Sequence, residues 1–237
     1  MATPRWRKLK KEVGEILLLT TRKEALDQLE KIPGKMVTGP LFSHFYSIND
    51  LVRFRSTAAM GRLVANLAEN RIEDARIVLR RIMWNLNDES GGIGWGSVEA
   101  MGEILANSNS LAQEFSSILF SYIAPQGNFL EHEMLQRGSL WGVGTYLAAA
   151  DAVMVDGNVT ENLCHFLDSP DSVKRGYAVR ALVNMSEKNR TVLPSPLFLD
   201  TNKVPLFDGW DIRETTVSSI AKNNTHKLPT GAMAHAK

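Results

Sequence analysis

"LDSPDSVKRGYAVRALVNM", residues 167–185, is a compact turn-and-helix unit. The apolar run "TENLCHFL" leads into a turn on Asp168 and Pro170, where proline has no N–H to carry a helix onward. After the turn comes Val-x-Arg-x-x-Ala-x-x-Ala-Leu, whose three- and four-residue spacing gathers small and apolar side chains on one helical face. Two short helices joined in this way cannot bury their apolar faces alone. They need neighbours of the same kind.

Those neighbours are present. "FRSTAAMGRLVANL" from Phe54, "WGSVEAMGEIL" from Trp95, "QRGSLWGVGTYLA" from Gln136 and "DIRETTVSSIAK" from Asp211 stack on "VKRGYAVRALVNM" from Val173. The small residues Gly61, Gly102, Gly144, Ala181 and Ser219 align, at intervals of 41, 42, 37 and 38 residues. Arg137, Arg175 and Arg213 recur at 38 and 38. Further helical stretches precede the aligned segments: Ile72, Ala75, Leu79, Ile82 and Leu86 in one, Leu111, Phe115, Ile118, Leu119 and Tyr122 in the next. The repeating unit is a helical hairpin. A glycine inside a helix costs about 1 kcal/mol relative to alanine, so its return at equivalent places predicts close helix crossings there.

The unit at 167–185 resembles a HEAT repeat of the phycobilisome-lyase-like subgroup, and "LQRGSLWGVGTYLA" is a looser copy. The resemblance covers Ser47 to Lys222. The longer runs "MWNLNDESGGIGWGSVEAMGEI" and "NFLEHEMLQRGSLWGVG" are also similar to a bacterial group of HEAT-like proteins that brings no assigned reaction. It implies an all-α fold, a right-handed α-α superhelix (HEAT-like α-solenoid) of about five hairpins, with a concave face lined by the second helices. It also implies an interaction scaffold rather than an enzyme.

The ends depart from the repeat. "TRKEALDQL" opens with a capping box on Thr21 and Glu24, so residues 1–46 are expected to form capping helices. The main repeats fall at 47–190. "PLFLDTNKVPLFDGW" has two short apolar runs around a polar centre and predicts a small β-hairpin or extended excursion, which with the last helix fills 191–222. The whole of 1–222 reads as a single repeat domain, and 223–237 as a loose tail.

Composition narrows the class. With 44% hydrophobic and 22% charged residues in 237, the chain has material for a substantial core. The net charge of +1 gives no global reason to expect nucleic acid, although "PRWRKLKK" concentrates five basic residues. The one cysteine, Cys164, forms no internal disulfide and suits a reducing compartment, so cytoplasm is the expected location. "ILLL" is too short for an export signal, and Asp151 interrupts the longest later apolar run, so membrane insertion is not expected.

The chemistry-bearing residues cluster in "WNLNDESGGIGWGSVEAMGEIL", residues 84–105. A glycine-rich turn before a helix offers free N–H groups to phosphate. Here a helix precedes the turn, no Gly-Lys-Ser/Thr follows, and Asp88 and Glu89 repel anions, so Ser97 reads as an ordinary helix cap. Two readings of the stretch stay open. In one it is a long inter-repeat turn with Trp84 and Trp95 in the core. In the other, Asn85, Asn87, Asp88 and Glu89 form a groove edge for a basic or amide-rich partner.

Glu131, His132 and Glu133 are consecutive, so on a helix they point apart and cannot all ligate one metal. Arg137, Arg175 and Arg213 are expected to pair with turn acids of neighbouring repeats, such as Asp168 or Asp171, as a ladder; a cationic stripe is the alternative. Cys164 beside His165 reads as a small core residue, and His44 as a packed or hydrogen-bonded histidine. No catalytic order of residues, metal or cofactor is indicated. The expectation is therefore a protein-binding scaffold, with Asn85, Asn87, Asp88, Glu89, Trp95, Glu131, His132 and Trp141 lining or bordering its site. A nucleic-acid-binding, DNA-repair-like HEAT protein is the disfavoured alternative, and a lyase or cofactor-handling protein the second.

Overall fold

The computed structural model describes residues 4–87, 94–150, 158–185 and 193–222. Among them the helices are α1 (Pro4–Leu17), α2 (Arg22–Leu29), α3 (Gly34–His44), α4 (Asp50–Asn70), α5 (Ile72–Leu86), α6 (Ser97–Asn107), α7 (Asn109–Ser121), α8 (Glu133–Ala149), α9 (Asn158–Cys164) and α10 (Ser172–Asn184). A 3-10 turn, Ser195–Phe198, leads to β1 (Lys203–Asp208), β2 (Asp211–Thr216) and α11 (Val217–Lys222). The fold is an all-α superhelical repeat array carrying one small antiparallel hairpin.

Helices α4, α6, α8 and α10 pack side by side in chain order and form the spine. Their crossings fall at the aligned small residues. A Cβ on Gly61 would lie 2.5 Å from Glu103 Cβ, and one on Gly144 would lie 3.2 Å from Ala181 Cα. A Cβ on Gly102 would overlap the Gly142 carbonyl oxygen. Backbone therefore approaches backbone along the spine, and the helical cost of each glycine is offset by contact that no larger residue permits. Helices α5 and α7 each pack against the two spine helices that flank them in sequence, α9 packs against α10, and α1–α3 cover the α4 end. Thr21 caps α2 by accepting the Glu24 N–H at 3.3 Å. His44 Nε2 lies 3.0 Å from the Lys10 carbonyl, and burial holds its pKa below the usual value.

The last aligned segment is corrected. Asp211–Thr216 is not the start of a helix but the strand β2, paired with β1 from Lys203↔Thr216 to Asp208↔Asp211. Gly209, at φ 68°, and Trp210 make the two-residue turn that fixes this register. Ile212, Thr215 and Thr216 are β-branched and suit a strand better than a helix. Ser219, aligned with the crossing glycines, is exposed on the short helix α11 and marks no crossing.

The hairpin crosses the spine. At one side Val204 fills the space beside Gly176 of α10, and Tyr177 Oη donates to the Pro205 carbonyl at 2.8 Å. At the other side Phe207 stacks on Phe54 of α4 at 5.5 Å, and Trp210 Nε1 donates to the Leu19 carbonyl at 2.9 Å. Phe54 also meets Trp141 of α8 at 5.6 Å, past the intervening α6. Side chains from two helices separated by a third meet when the layer curves toward them, so the hairpin lies across the concave face.

Arg55 of α4, 3% exposed, holds this crossing in place. It donates to the Trp210 carbonyl at 2.7 Å, to the Leu17 and Leu19 carbonyls at 2.8 and 2.9 Å, and to Asp211 at 3.2 Å. Its guanidinium also lies 5.0 Å from the Trp210 ring. Replacing Arg55 by leucine leaves buried carbonyls without a donor, each worth about 1–3 kcal/mol. Arg55→Leu is expected to lower unfolding free energy in urea by at least about 3 kcal/mol and to speed amide hydrogen exchange in the hairpin. At the crossings, Gly102→Ala is expected to cost about 1–3 kcal/mol or more and to exceed the cost of Gly144→Ala, where a flexible Arg180 end can yield; paired urea titrations check the order.

Candidate functional site

The N-terminal turns of the spine helices lie at one edge of the concave face, and with the hairpin they enclose a cavity of about 160 Å³. Helix α4 supplies Asp50, Arg53 and Phe54, and α6 with its approach supplies Trp95, Gly96 and Glu99. From α8 come Met134, Leu135, Arg137, Gly138 and Trp141; from α10, Val173 and Tyr177; from the hairpin, Pro205 and Ile212. Trp141 is the centre of the wall, 2% exposed, with edge-on contacts to Phe54 at 5.6 Å and Tyr177 at 5.1 Å.

Two arginines in the lining are already engaged. Arg53 lies 2.8 Å from Asp50 and donates to the Ser47 carbonyl, and Arg137 lies 2.7 Å from Asp171, the N-cap of α10. Glu99 is different. No Lys, Arg or His nitrogen lies within 4.0 Å of its carboxylate among the described residues. Burial pushes its pKa up to about 7, and the more distant charge of Arg53 offsets this only in part. Gly138 makes its place, because a Cβ there would sit 2.6 Å from Glu99 Oε2.

One turn further along α6, Glu103 is also buried, and desolvation raises its pKa. Arg180 of α10 donates to the Trp141 carbonyl and to Thr145 Oγ1, both at 3.2 Å, and lies 3.9 Å over the Trp141 ring. Burial draws its pKa down to about 10.

The structure brings Trp95 and Trp141 together in this cavity, and each indole Nε1 is buried without a hydrogen-bond partner among the described residues. Asn85 and the exposed Asn87 close α5 next to the α6 approach, where a Cβ on Gly94 would lie 2.8 Å from the Asn85 carbonyl. Asp88 and Glu89 lie outside the described residues. Glu131 and His132 are exposed before α8, and His132 is its N-cap, accepting the Met134 N–H through Nδ1 at 3.2 Å. Glu133 faces Lys174 of α10 at 3.3 Å.

Of the arginines, Arg175 lies 2.7 Å from Asp200, whereas Arg213 sits on β2 and faces Asp208 of its own hairpin at 3.3 Å. Two local expectations are corrected. Trp84 is 74% exposed rather than in the core, because it lies two positions from Ile82 and Leu86 on the outer side of α5. The N-cap of α6 is Gly96, at φ 72°, and Ser97 is buried with Oγ unpartnered.

Arg53, Phe54, Glu99 and Tyr177 were not singled out from the sequence. A signal existed for Glu99, since Glu99 and Glu103 stand four residues apart on α6 and so share a helical face. Among the described residues no three His, Cys, Asp or Glu side chains are grouped so as to hold a metal ion, and no helix is long and apolar enough to cross a membrane. Cys164 is half-buried at the end of α9, and burial raises its thiol pKa.

No family model matches the chain, and no curated protein matches it. Among solved structures it is similar to an engineered protein at 17% identity, covering 75% of this chain and 78% of the other with a TM-score of 0.42. It is also similar to computationally designed armadillo repeat proteins for modular peptide recognition, at 16% identity, 90% and 96% coverage and a TM-score of 0.44. A further engineered protein is 14% identical over 74% of this chain and 57% of the other, with a TM-score of 0.37.

Glu99 sets a pH dependence. Its folded pKa of about 7 lies above the ordinary 4.5, so the fold carries no penalty below pH 4.5 and loses stability as pH rises through 7. The loss reaches up to about 3 kcal/mol. Glu99→Gln is expected to match the wild type in unfolding free energy near pH 4 and to exceed it at pH 8, as urea titrations at both values will read.

Proposed function

We propose that the chain is a protein-interaction scaffold that docks a partner at the edge of the concave face where the cavity opens. The observation that carries this reading is the cavity itself: an aromatic wall around Trp141 with a carboxylate, Glu99, that no cation among the described residues neutralises at contact distance. A protein maintains a destabilised, half-buried acid at a surface opening at a cost in stability, and binding sites are where such costs recur. Trp95 and Trp141 serve as the apolar anchors of this site, and Asn85, Asn87, Glu131 and His132 are assigned to its polar rim; Asp88 and Glu89, which follow Asn87 in the sequence, are assigned to the same partner-binding set on sequence grounds alone.

The finer assignments belong to the same proposal. The Val-x-Arg-x-x-Ala-x-x-Ala-Leu pattern supports membership of the phycobilisome-lyase-like HEAT subgroup in a bacterial cytoplasm, and residues 1–222 as one domain. Arg137 with Asp171 and Arg175 with Asp200 then act as rungs tying neighbouring elements, so these guanidiniums serve the array rather than a ligand.

The test is a cross-linked pull-down from native cell extract, with and without nuclease, using wild type, Trp95→Ala and Asp88→Ala/Glu89→Ala. The expected result is a protein partner that survives nuclease, is lost with Trp95→Ala and is reduced by the double variant. Capture that disappears with nuclease would overturn the reading in favour of nucleic acid bound through the basic helix α1.

A further inference from the structure

We infer that the cavity is a receptor for one basic side chain of the partner, whose ammonium or guanidinium group takes Glu99 as counter-ion within the walls formed by Trp95, Trp141 and Tyr177. This deepens the interaction-scaffold reading and rests on it.

Charge decides the sign of the occupant. Arg53 is committed to Asp50 and the Ser47 carbonyl, and Arg137 to Asp171, so the uncompensated group in the lining is the Glu99 carboxylate. An anion would have to draw those arginines from their partners and sit beside a second negative charge. A cation needs neither change. The aromatic faces favour the same choice, since ring quadrupoles attract ammonium and guanidinium groups. These rings already do so within the chain: Arg180 lies 3.9 Å over Trp141, and Arg53 lies 6.0 Å from Trp95.

Size narrows the occupant further. A volume of about 160 Å³ exceeds a water but falls short of what a nucleotide or other large cofactor fills. It suits one long side chain entering between the helix ends. Gly138 is part of the receptor, because any Cβ at that position would strike the Glu99 carboxylate.

Proton and ligand compete for the same group. Among the described residues, the charged or titratable groups that share the cavity lining with Glu99 are Asp50 and Arg53 from α4, Arg137 from α8 and Tyr177 from α10; Pro205 and Ile212 of the hairpin carry none, and Arg180 acts on Glu103 and Tyr177 instead. With the free carboxyl titrating near 7, affinity for a cation falls by about tenfold per pH unit below that value.

The probes are four capped tripeptides, acetyl-Gly-X-Gly-amide with X as lysine, arginine, glutamine or norleucine, followed by tryptophan fluorescence and calorimetry at pH 8. The lysine or arginine peptide is expected to saturate the wild type at a concentration on the order of 10 mM or less. The glutamine and norleucine peptides should bind at least about tenfold more weakly, and Glu99→Gln, checked by its melting curve, should lose the same factor for the cationic peptides. Equal binding of norleucine, unchanged binding by Glu99→Gln, or no saturation would overturn the inference. So would displacement of the lysine peptide by a short oligonucleotide, which would assign the site to nucleic acid. Peptide failure beside a nuclease-resistant partner that Glu99→Gln still captures removes the cation site and leaves the scaffold standing. Peptide binding without any protein partner does the reverse.

Discussion

The guanidinium of Arg55 joins the first part of the chain to the last. Its partners are the carbonyls at the end of α1, Leu17 and Leu19, and the turn of the hairpin, Trp210 and Asp211. A helix end presents carbonyls with no intrahelical donors and a partial negative charge, so the buried cation is stabilised there in addition to its contact with the Asp211 carboxylate. A hydrophobic replacement would pack, but it could not bind two separate backbones at defined angles. Everything laid across the concave face, including the lining of the cavity, depends on that geometry.

The glycine crossings and the cavity are consequences of one another. Where Gly102 meets Gly142 and Gly61 meets Glu103, the spine helices come closer than side chains would allow. On the side of the layer that the hairpin covers, Phe54, Trp141 and Tyr177 converge in edge-on contacts. Glu99 lies among them because Gly138 opposite has no side chain. The same absence of Cβ atoms therefore supplies both tight packing and the space that the Glu99 carboxylate occupies.

The repeat was legible because backbone contact restricts residue identity: only small side chains serve at Gly61, Gly102, Gly144 and Ala181, so their spacing survives in the sequence. Ser219 carried the same spacing without the contact. Over a segment as short as 211–222, a pattern of alternating small and β-branched residues fits helix or strand, and tertiary pairing with β1 chose the strand. Arg55 was readable in principle, since it stands six residues before Gly61 just as Arg175 stands six before Ala181. What the sequence does not carry is that its partners come from the opposite end of the chain. Trp84 was a misreading of phase: Ala75, Leu79 and Ile82 define the buried side of α5, and the exposed Ile77 and Trp84 share the other. The cavity needed the fold, because its walls come from four helices and a hairpin.

The clasp changes what kind of object the array is. An open solenoid is close to one-dimensional: repeats touch only their neighbours, folding can start anywhere, and units can be added or removed. Here Arg55 meets Trp210 across 155 residues of sequence. That contact couples the α4 end of the array to the hairpin, and forming it requires closing a long loop. It also fixes the repeat number. One helical repeat more or fewer between them would carry Trp210 past or short of Arg55, so a lineage built on this clasp can vary its loops and surfaces but not the number of repeats between those two residues.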